Sequence, residues 1–356
     1  MPKNGMLIRI TLAVAAAALL GVLAVASAGA AGKNSSSGSL SGAGSSLVAP
    51  AVQGAWGPAY QSAKGVTINY NPVGSGTGIK YISARSVDFG ASDAPMSKSE
   101  SAGCNGCVQV PWALTATDPV FNVHGITSGK LRLTGLVIAR IYLGQITNWN
   151  DPAIKALNRH LSLPNQKITV VHRSDGSGDT YAFTDYLSKV SRAWKRQVSK
   201  GTSVNWPVGE GGAKNAGVAA LVKSTPGAIG YISDFYALQN KIPVARLKNK
   251  AGRYVFPRIS TIEAAAQLVK SKGIPKNNAI SITDPPKSKK YVNAWPLSTF
   301  TYVIVPVKTA KAADLKAFIS WALQPAQQKA IQKDVFAPMP QVVLKAAKKT
   351  LKKIHS

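Results

Sequence analysis

The sequence is poor in acids, cysteine and histidine. Only 14 of its 356 residues are Asp or Glu, against 43 Lys and Arg, for a formal charge of +29. Such a chain concentrates anions around itself, which suits an anionic ligand, an acidic surface or nucleic acid without choosing among them. Its basic residues are scattered and not interleaved with aromatics, so no specific nucleic-acid partner is expected. Two cysteines cannot staple a disulfide-rich scaffold, and Cys104-Asn105-Gly106-Cys107 is only half of a zinc ribbon. The four histidines, His124, His160, His172 and His355, show no ligand spacing, so neither metal nor cofactor is expected. Gly-x-Ser-x-Gly and Gly-x-x-x-x-Gly-Lys-Ser/Thr are both missing. A phosphomonoesterase would need a nucleophile with its base, or metal ligands, so the reading is not an enzyme.

Long apolar runs are also missing, with one exception. Lys3 and Arg9 precede an apolar stretch from Leu12 to Val25, followed by Ala26-Ser27-Ala28 and further small residues. That order of charge, apolar core and small residues is a secretory signal, short for a membrane span. Residues 1–30 are therefore expected to be a signal peptide cut after Ala28 or Ala30, giving a periplasmic or extracytoplasmic protein. No cysteine at the cut offers a lipid anchor. The Ser/Gly-rich residues 31–41 follow as a flexible linker. In an exported protein, Cys104 and Cys107 are expected to form a local disulfide across an Asn-Gly turn.

What is present is a strand–loop–helix alternation. Residues 66–70, 87–91, 167–172, 228–232 and 301–307 read as strands; 78–84, 180–190, 261–272 and 310–323 read as helices. This predicts α/β architecture with open, largely parallel sheets. The lysines at 345, 348, 349, 352 and 353 read as the solvated end of a basic helix.

Three segments place small, flexible residues between an extended stretch and a helix start. They are Gly42-Ala43-Gly44-Ser45-Ser46-Leu47, Gly74-Ser75-Gly76-Thr77-Gly78 and Arg173-Ser174-Asp175-Gly176-Ser177-Gly178-Asp179-Thr180. A helix N-terminus offers unpaired N–H groups and partial positive charge, glycine lets an anion approach closely, and serine adds neutral donors. Any one such loop also fits a turn or cap; three can converge on one anion. Arg173 can fork onto an oxyanion while Asp175 holds its guanidinium. Asp93 stands where the strand at 87–91 runs out, one of few acids and close to the candidate anion loops.

These segments, with Ile141–Ile146, Trp149-Asn150-Asp151, Gly227–Tyr231 and Ala294-Trp295-Pro296, resemble the periplasmic phosphate-binding proteins of phosphate ABC transporters. The likeness is collinear over nearly the whole mature chain. It implies a two-lobed periplasmic-binding-protein fold, each lobe a mainly parallel sheet flanked by helices, with ligand in the interlobe cleft. Lobe one would comprise 42–116 plus 295–356 and lobe two 117–294, with crossings near 111–120 and 293–299. The implied phosphate contacts are Ser46, Leu47 through its N–H, Ser75, Asp93 as acceptor, Arg173, Ser177 and Gly178. Asp179 stands where the family usually has a hydroxyl residue; its carboxylate could accept a proton from phosphate or repel it, and its N–H could still serve. The implied function is capture of inorganic phosphate and delivery to the permease subunits of an ABC transporter, by a monomer. The alternatives are a phosphomonoesterase or a receptor for another tetrahedral oxyanion.

Overall fold

The computed structural model describes residues 38–356. The expected signal peptide, and the linker as far as residue 37, lie outside the described residues. Among the described residues eleven strands are formed: β1 (Ser39–Gly44), β2 (Thr67–Asn71), β3 (Phe89–Ser92), β4 (Cys107–Phe121), β5 (Arg132–Thr134), β6 (Thr169–Arg173), β7 (Glu210–Gly212), β8 (Ala228–Ser233), β9 (Arg246–Lys248), β10 (Tyr254–Val255) and β11 (Ser298–Pro306). Eight make one sheet in the order β2-β1-β3-β11-β4-β8-β6-β7, and β10-β9-β5 make a small second sheet.

The large sheet has two wings. β1 runs parallel to β2 and β3 in one, and β6 runs parallel to β7 and β8 in the other. Between them β11 and β4 are antiparallel to their neighbours, because the chain crosses outward once along β4 and returns along β11. β4 pairs with β11 from Cys107 to Ala116 and with β8 from Thr117 to Phe121. Strands covered on both faces lose polar alternation. Accordingly every residue of β8 and β11, and all but the first two of β4, is buried.

Two details differ from the sequence reading. Ser39–Ser41, expected in the linker, belong to β1, with Leu40 fully buried; parallel pairing to β2 supplies the order that their composition lacks. The helix expected over 261–272 is two, Ile259–Ala266 and Leu268–Lys272. The Cys104–Cys107 disulfide is present and closes a turn in which Asn105 and Gly106 are left-handed, at φ 36° and 81°. In the final helix, Gln341–Leu351, Val343, Leu344, Ala347 and Leu351 face the core while Lys345, Lys348 and Lys349 are exposed.

Aromatic clusters brace each wing. Trp112 on β4 lies 5.2 Å from Trp56, 6.1 Å from Phe89 and 6.4 Å from Phe318, centroid to centroid. In the other wing Phe183 stacks on Tyr231 at 4.3 Å and meets Tyr142 edge-on at 4.8 Å. The Tyr231 hydroxyl also pairs with Thr180 Oγ1 (2.6 Å) and accepts from the Arg173 N–H (3.1 Å), so this packing positions polar residues.

Trp112 is fully buried among three aromatic rings. Its replacement by alanine should cost ~3–5 kcal/mol of stability, read as a lower urea midpoint. An unchanged midpoint would show that this cluster does not brace the sheet.

Candidate anion-binding site

The three small-residue loops and Asp93 meet where strands of both wings end. The segment after β1 carries Ser45, Ser46 and Leu47; Asp93 follows β3; Arg173 ends β6. Ser75 is the first residue of the helix Ser75–Ser83, and Gly178 that of Gly178–Val190. In α/β sheets the carboxyl ends of strands and the helix N-termini beyond them form the ligand crevice.

The two wings touch directly here. The Gly178 N–H donates to Ser75 Oγ (3.1 Å), and the Gly76 N–H donates to the Gly176 carbonyl (2.9 Å). A Cβ at residue 178 would stand 2.5 Å from Asp93 Cβ and 2.7 Å from its nitrogen. Glycine is therefore required where the second wing presses on Asp93.

Asp93 is 1% exposed, and its carboxyl receives Ser45 Oγ at 2.6 Å and Ser75 Oγ at 3.4 Å. Arg173 is 4% exposed and lies between two carboxylates. Its Nε and Nη2 donate to the two oxygens of Asp175 at 2.8 and 2.6 Å, and its Nη1 donates to Asp179 at 3.0 Å. Asp175 also accepts the Lys214 N–H (2.9 Å). Asp179 accepts from Thr117 Oγ1 (2.8 Å) on the crossing strand and from Asn215 Nδ2 (2.8 Å). Asn215 in turn donates its N–H and Nδ2 to Ser46 Oγ, at 3.3 and 3.1 Å, and accepts the Ser233 N–H. One buried network thus runs from Ser46 in the first wing to Arg173 and Asp179 in the second.

All eight residues expected at the site are gathered here, though not all face the cleft as expected. The Leu47 N–H donates to Ser45 Oγ (3.0 Å). Ser177 Oγ caps its helix by accepting the Thr180 N–H (3.2 Å). Asp179 holds Arg173, and the Thr180 hydroxyl is engaged by Tyr231. Three residues were missed. Ser45, next to the chosen Ser46, is the serine that grips Asp93. Asn215 is the second residue of the helix Lys214–Ser224, which starts just after Gly211 and Gly212 of β7 and the cap residue Ala213, a fourth strand–small–helix junction that the same signature could have found. Thr117 sits in a buried strand and carries no local signal.

A guanidinium has five N–H bonds, and three of Arg173's are engaged. Ser46 and Ser177 act as acceptors in the contacts given above, and among the described residues neither hydroxyl is matched to an acceptor. The cleft therefore offers surplus donors to an acceptor-rich group, beside one buried carboxyl.

Burial, followed by the nearby charge of Asp179, pushes the Asp93 carboxyl up to about 8, against the opposing pull of Ser45, Arg173 and Ser75. Burial also raises Asp179, outweighing Arg173, Thr117 and Asn215. Burial works on Asp175 in the same direction, but Arg173 outweighs it and holds that carboxyl below its ordinary range. Arg173 is held more firmly charged: burial would lower it, and the hydrogen bonds and charges of Asp175 and Asp179 more than compensate.

Residues 29–326 match the PBP superfamily domain. The chain is 42% identical over 309 residues to the phosphate-binding protein PstS of Xylella fastidiosa, covering 86% of this chain and 83% of that one. It is 39% identical over 316 residues to that of Haemophilus influenzae, covering 87% and 91%. Among solved structures, a high affinity periplasmic phosphate-binding protein bound with phosphate superposes with a TM-score of 0.68 at 20% identity, over 87% of this chain and 93% of that one. This last likeness concerns the fold.

A carboxyl raised by folding contributes stability that is full below its unfolded value and lost as pH rises through the folded one. For Asp93 that window runs from 3.8 to about 8. Calorimetric unfolding of ligand-free protein should show wild type losing stability relative to Asp93→Asn across this window. The difference isolates Asp93 from the general repulsion of a +29 chain. A wild type that gains on the variant toward pH 8 would contradict this assignment.

Proposed function

The chain belongs to the PBP superfamily, within the family of phosphate-binding proteins named PstS, and from that premise we propose that it binds inorganic phosphate between two lobes and hands it to an ABC-type permease. The observation that carries this reading is the pairing of surplus neutral and cationic donors with one buried carboxyl. Ser46 and Ser177 supply unengaged hydroxyls and Arg173 supplies a fork, while Ser75 and the N–H groups of Leu47 and Gly178 would turn to the ligand from Asp93, Ser45 and Ser75. Asp93 supplies the acceptor. Phosphate still carries a proton to share with this carboxyl; sulfate carries none, and where Asp93 is ionised, above about pH 8, it would meet a bare like charge in a desolvated cleft.

Lobe one would comprise 42–116 with 295–356, and lobe two 117–294. The change of partner along β4 at Ala116/Thr117 supports this division. Closure would follow from ligand binding the shut form better than the open one, the two crossings acting as hinge. The shut form would then dock on the permease subunits as a monomer. An extracytoplasmic location follows from the N-terminal export pattern. The relatives are named as binding proteins, and the cleft chemistry agrees with binding rather than turnover. His172 is next to Arg173 on β6, but its ring stacks on Trp206 at 4.8 Å, on the other face of the strand.

Like-charge juxtaposition in an interface costs several kcal/mol, and about 4 kcal/mol is about a thousandfold in affinity. Calorimetric titration of wild type with phosphate and with sulfate above about pH 8, where Asp93 is ionised, should therefore show discrimination on the order of a thousandfold. Asp93→Asn should lose most of it. Unchanged selectivity in the variant would remove Asp93 from its proposed role.

A further inference from the structure

The small sheet β10-β9-β5 has two unlike faces. Its register sets Arg132 beside Arg246, Thr134 beside Lys248, and Tyr254 opposite Lys248. Side chains alternate across a strand, so Leu133, Leu247 and Val255 share one face, and all three are buried. The other face carries Arg132, Arg246, Lys248 and Tyr254. Cations and rings meet on it. Arg132 and Lys248 lie 5.4 and 5.8 Å from the centre of the Tyr254 ring, and Arg246 lies 5.8 Å from that of Phe256, just beyond β10.

This stretch departs from the general scatter of charge along the chain. Arg246, Lys248, Lys250, Arg253 and Arg258 fall within positions 246–258, together with Tyr254 and Phe256. The chain folds it around a cavity of about 400 Å³, onto which Arg246, Arg253 and Arg258 converge with the two rings and Asn293. Arg246 Nε donates to the Gly129 carbonyl (2.8 Å), and Arg253 Nη1 donates to Asn293 Oδ1 (2.6 Å). Arg258 is exposed, and among the described residues its guanidinium has no hydrogen-bond partner. None of the three pairs with a carboxylate among the described residues, whereas Lys250 of the same stretch meets Asp284. Glu263, on the helix Ile259–Ala266, neither lines the cavity nor joins any of these ion pairs.

The contrast with Arg173 sets the chemistry. There two carboxylates satisfy one guanidinium. Here three guanidiniums share one cavity with no carboxylate, and their mutual repulsion is relieved only when an anion joins them. A guanidinium forks onto two oxygens of one group, so three of them suit an anion with several charged groups in a row. Linked phosphates have that form. We propose that this cavity is a second anion site, separate from the cleft, which takes a short chain of linked phosphates through Arg246, Arg253 and Arg258. Inorganic oligophosphate and the tail of a nucleotide share that chemistry. Because each ring already carries a cation, the site favours the phosphate chain over a stacked base. The inference does not depend on the phosphate reading of the cleft.

The test is calorimetric titration of the purified exported chain with tripolyphosphate, in salt of about 50 mM and about 300 mM. One equivalent should bind, and more weakly at the higher salt, because the site is open to solvent. Arg253→Gln and Arg258→Gln should each lower the affinity about tenfold or more. Both positions are exposed, so the thermal midpoint without ligand should not fall. Tripolyphosphate that binds the double variant as tightly as wild type, or that one equivalent of inorganic phosphate displaces, would overturn the site. So would uptake of many equivalents without saturation, which is general attraction to a +29 chain. ATP should bind no better than tripolyphosphate. ATP or a single-stranded oligonucleotide binding tenfold tighter would show that a base is read, against the proposal. No binding at the lower salt would end it.

Discussion

Taking a guanidinium out of water is costly unless carboxylates replace its hydration, and Arg173 has a carboxylate on either side. Much of the polar architecture hangs on that buried group. Asp175 fixes one edge of it and anchors the backbone of Lys214, where a helix begins. Asp179 fixes the other and reaches the crossing strand through Thr117. Asn215 extends the network to Ser46 in the opposite wing and to the backbone of Ser233. A change at any of these positions would leave a buried charge or donor without its partner, which is the costly outcome for a polar interior.

The sheet makes this arrangement possible. Two parallel wings turn their strand ends toward one another, and the antiparallel pair β4 and β11 joins them. Contact across the join is made by backbone and by small residues, Gly76 against Gly176 and Gly178 against Asp93. Side chains at these positions would hold the wings apart. The aromatic clusters behind each wing bury the apolar area that sustains so polar a junction, and in the second wing Tyr231 contributes to both. The charge distribution follows the same division. Lysines of the final helix are solvated, while several of the few acids are withdrawn into the cleft, where they counter Arg173.

Much of this was legible in the residues. The alternation of strands and helices, the three loops, and the pairing of Arg173 with Asp175 two positions away are local features, and they appear where the local pattern put them. Long-range features were less accessible. Nothing local distinguishes Ser45 from Ser46 as the partner of Asp93, since that depends on how β1 lies beside β3. Thr117 and Asp118 look like any residues of a buried strand until Asp179 and Asp234 are folded against them. The Leu47 N–H, which the family resemblance implies as a phosphate contact, donates to Ser45 Oγ in the folded chain, a bond that no local feature announces.

Composition and order alone determined that this chain makes α/β wings with small-residue, donor-rich loops at helix starts, because period, turn chemistry and helix-end electrostatics act over a few residues. Only tertiary structure decided which donors remain free and which acids share a field. Those outcomes depend on pairs separated by tens to hundreds of positions, and on burial that raises Asp93 and Asp179 while Arg173 holds Asp175 down. The charge excess was visible as a sum over the sequence; that its counterpart is a carboxylate-rich cleft is a property of the fold.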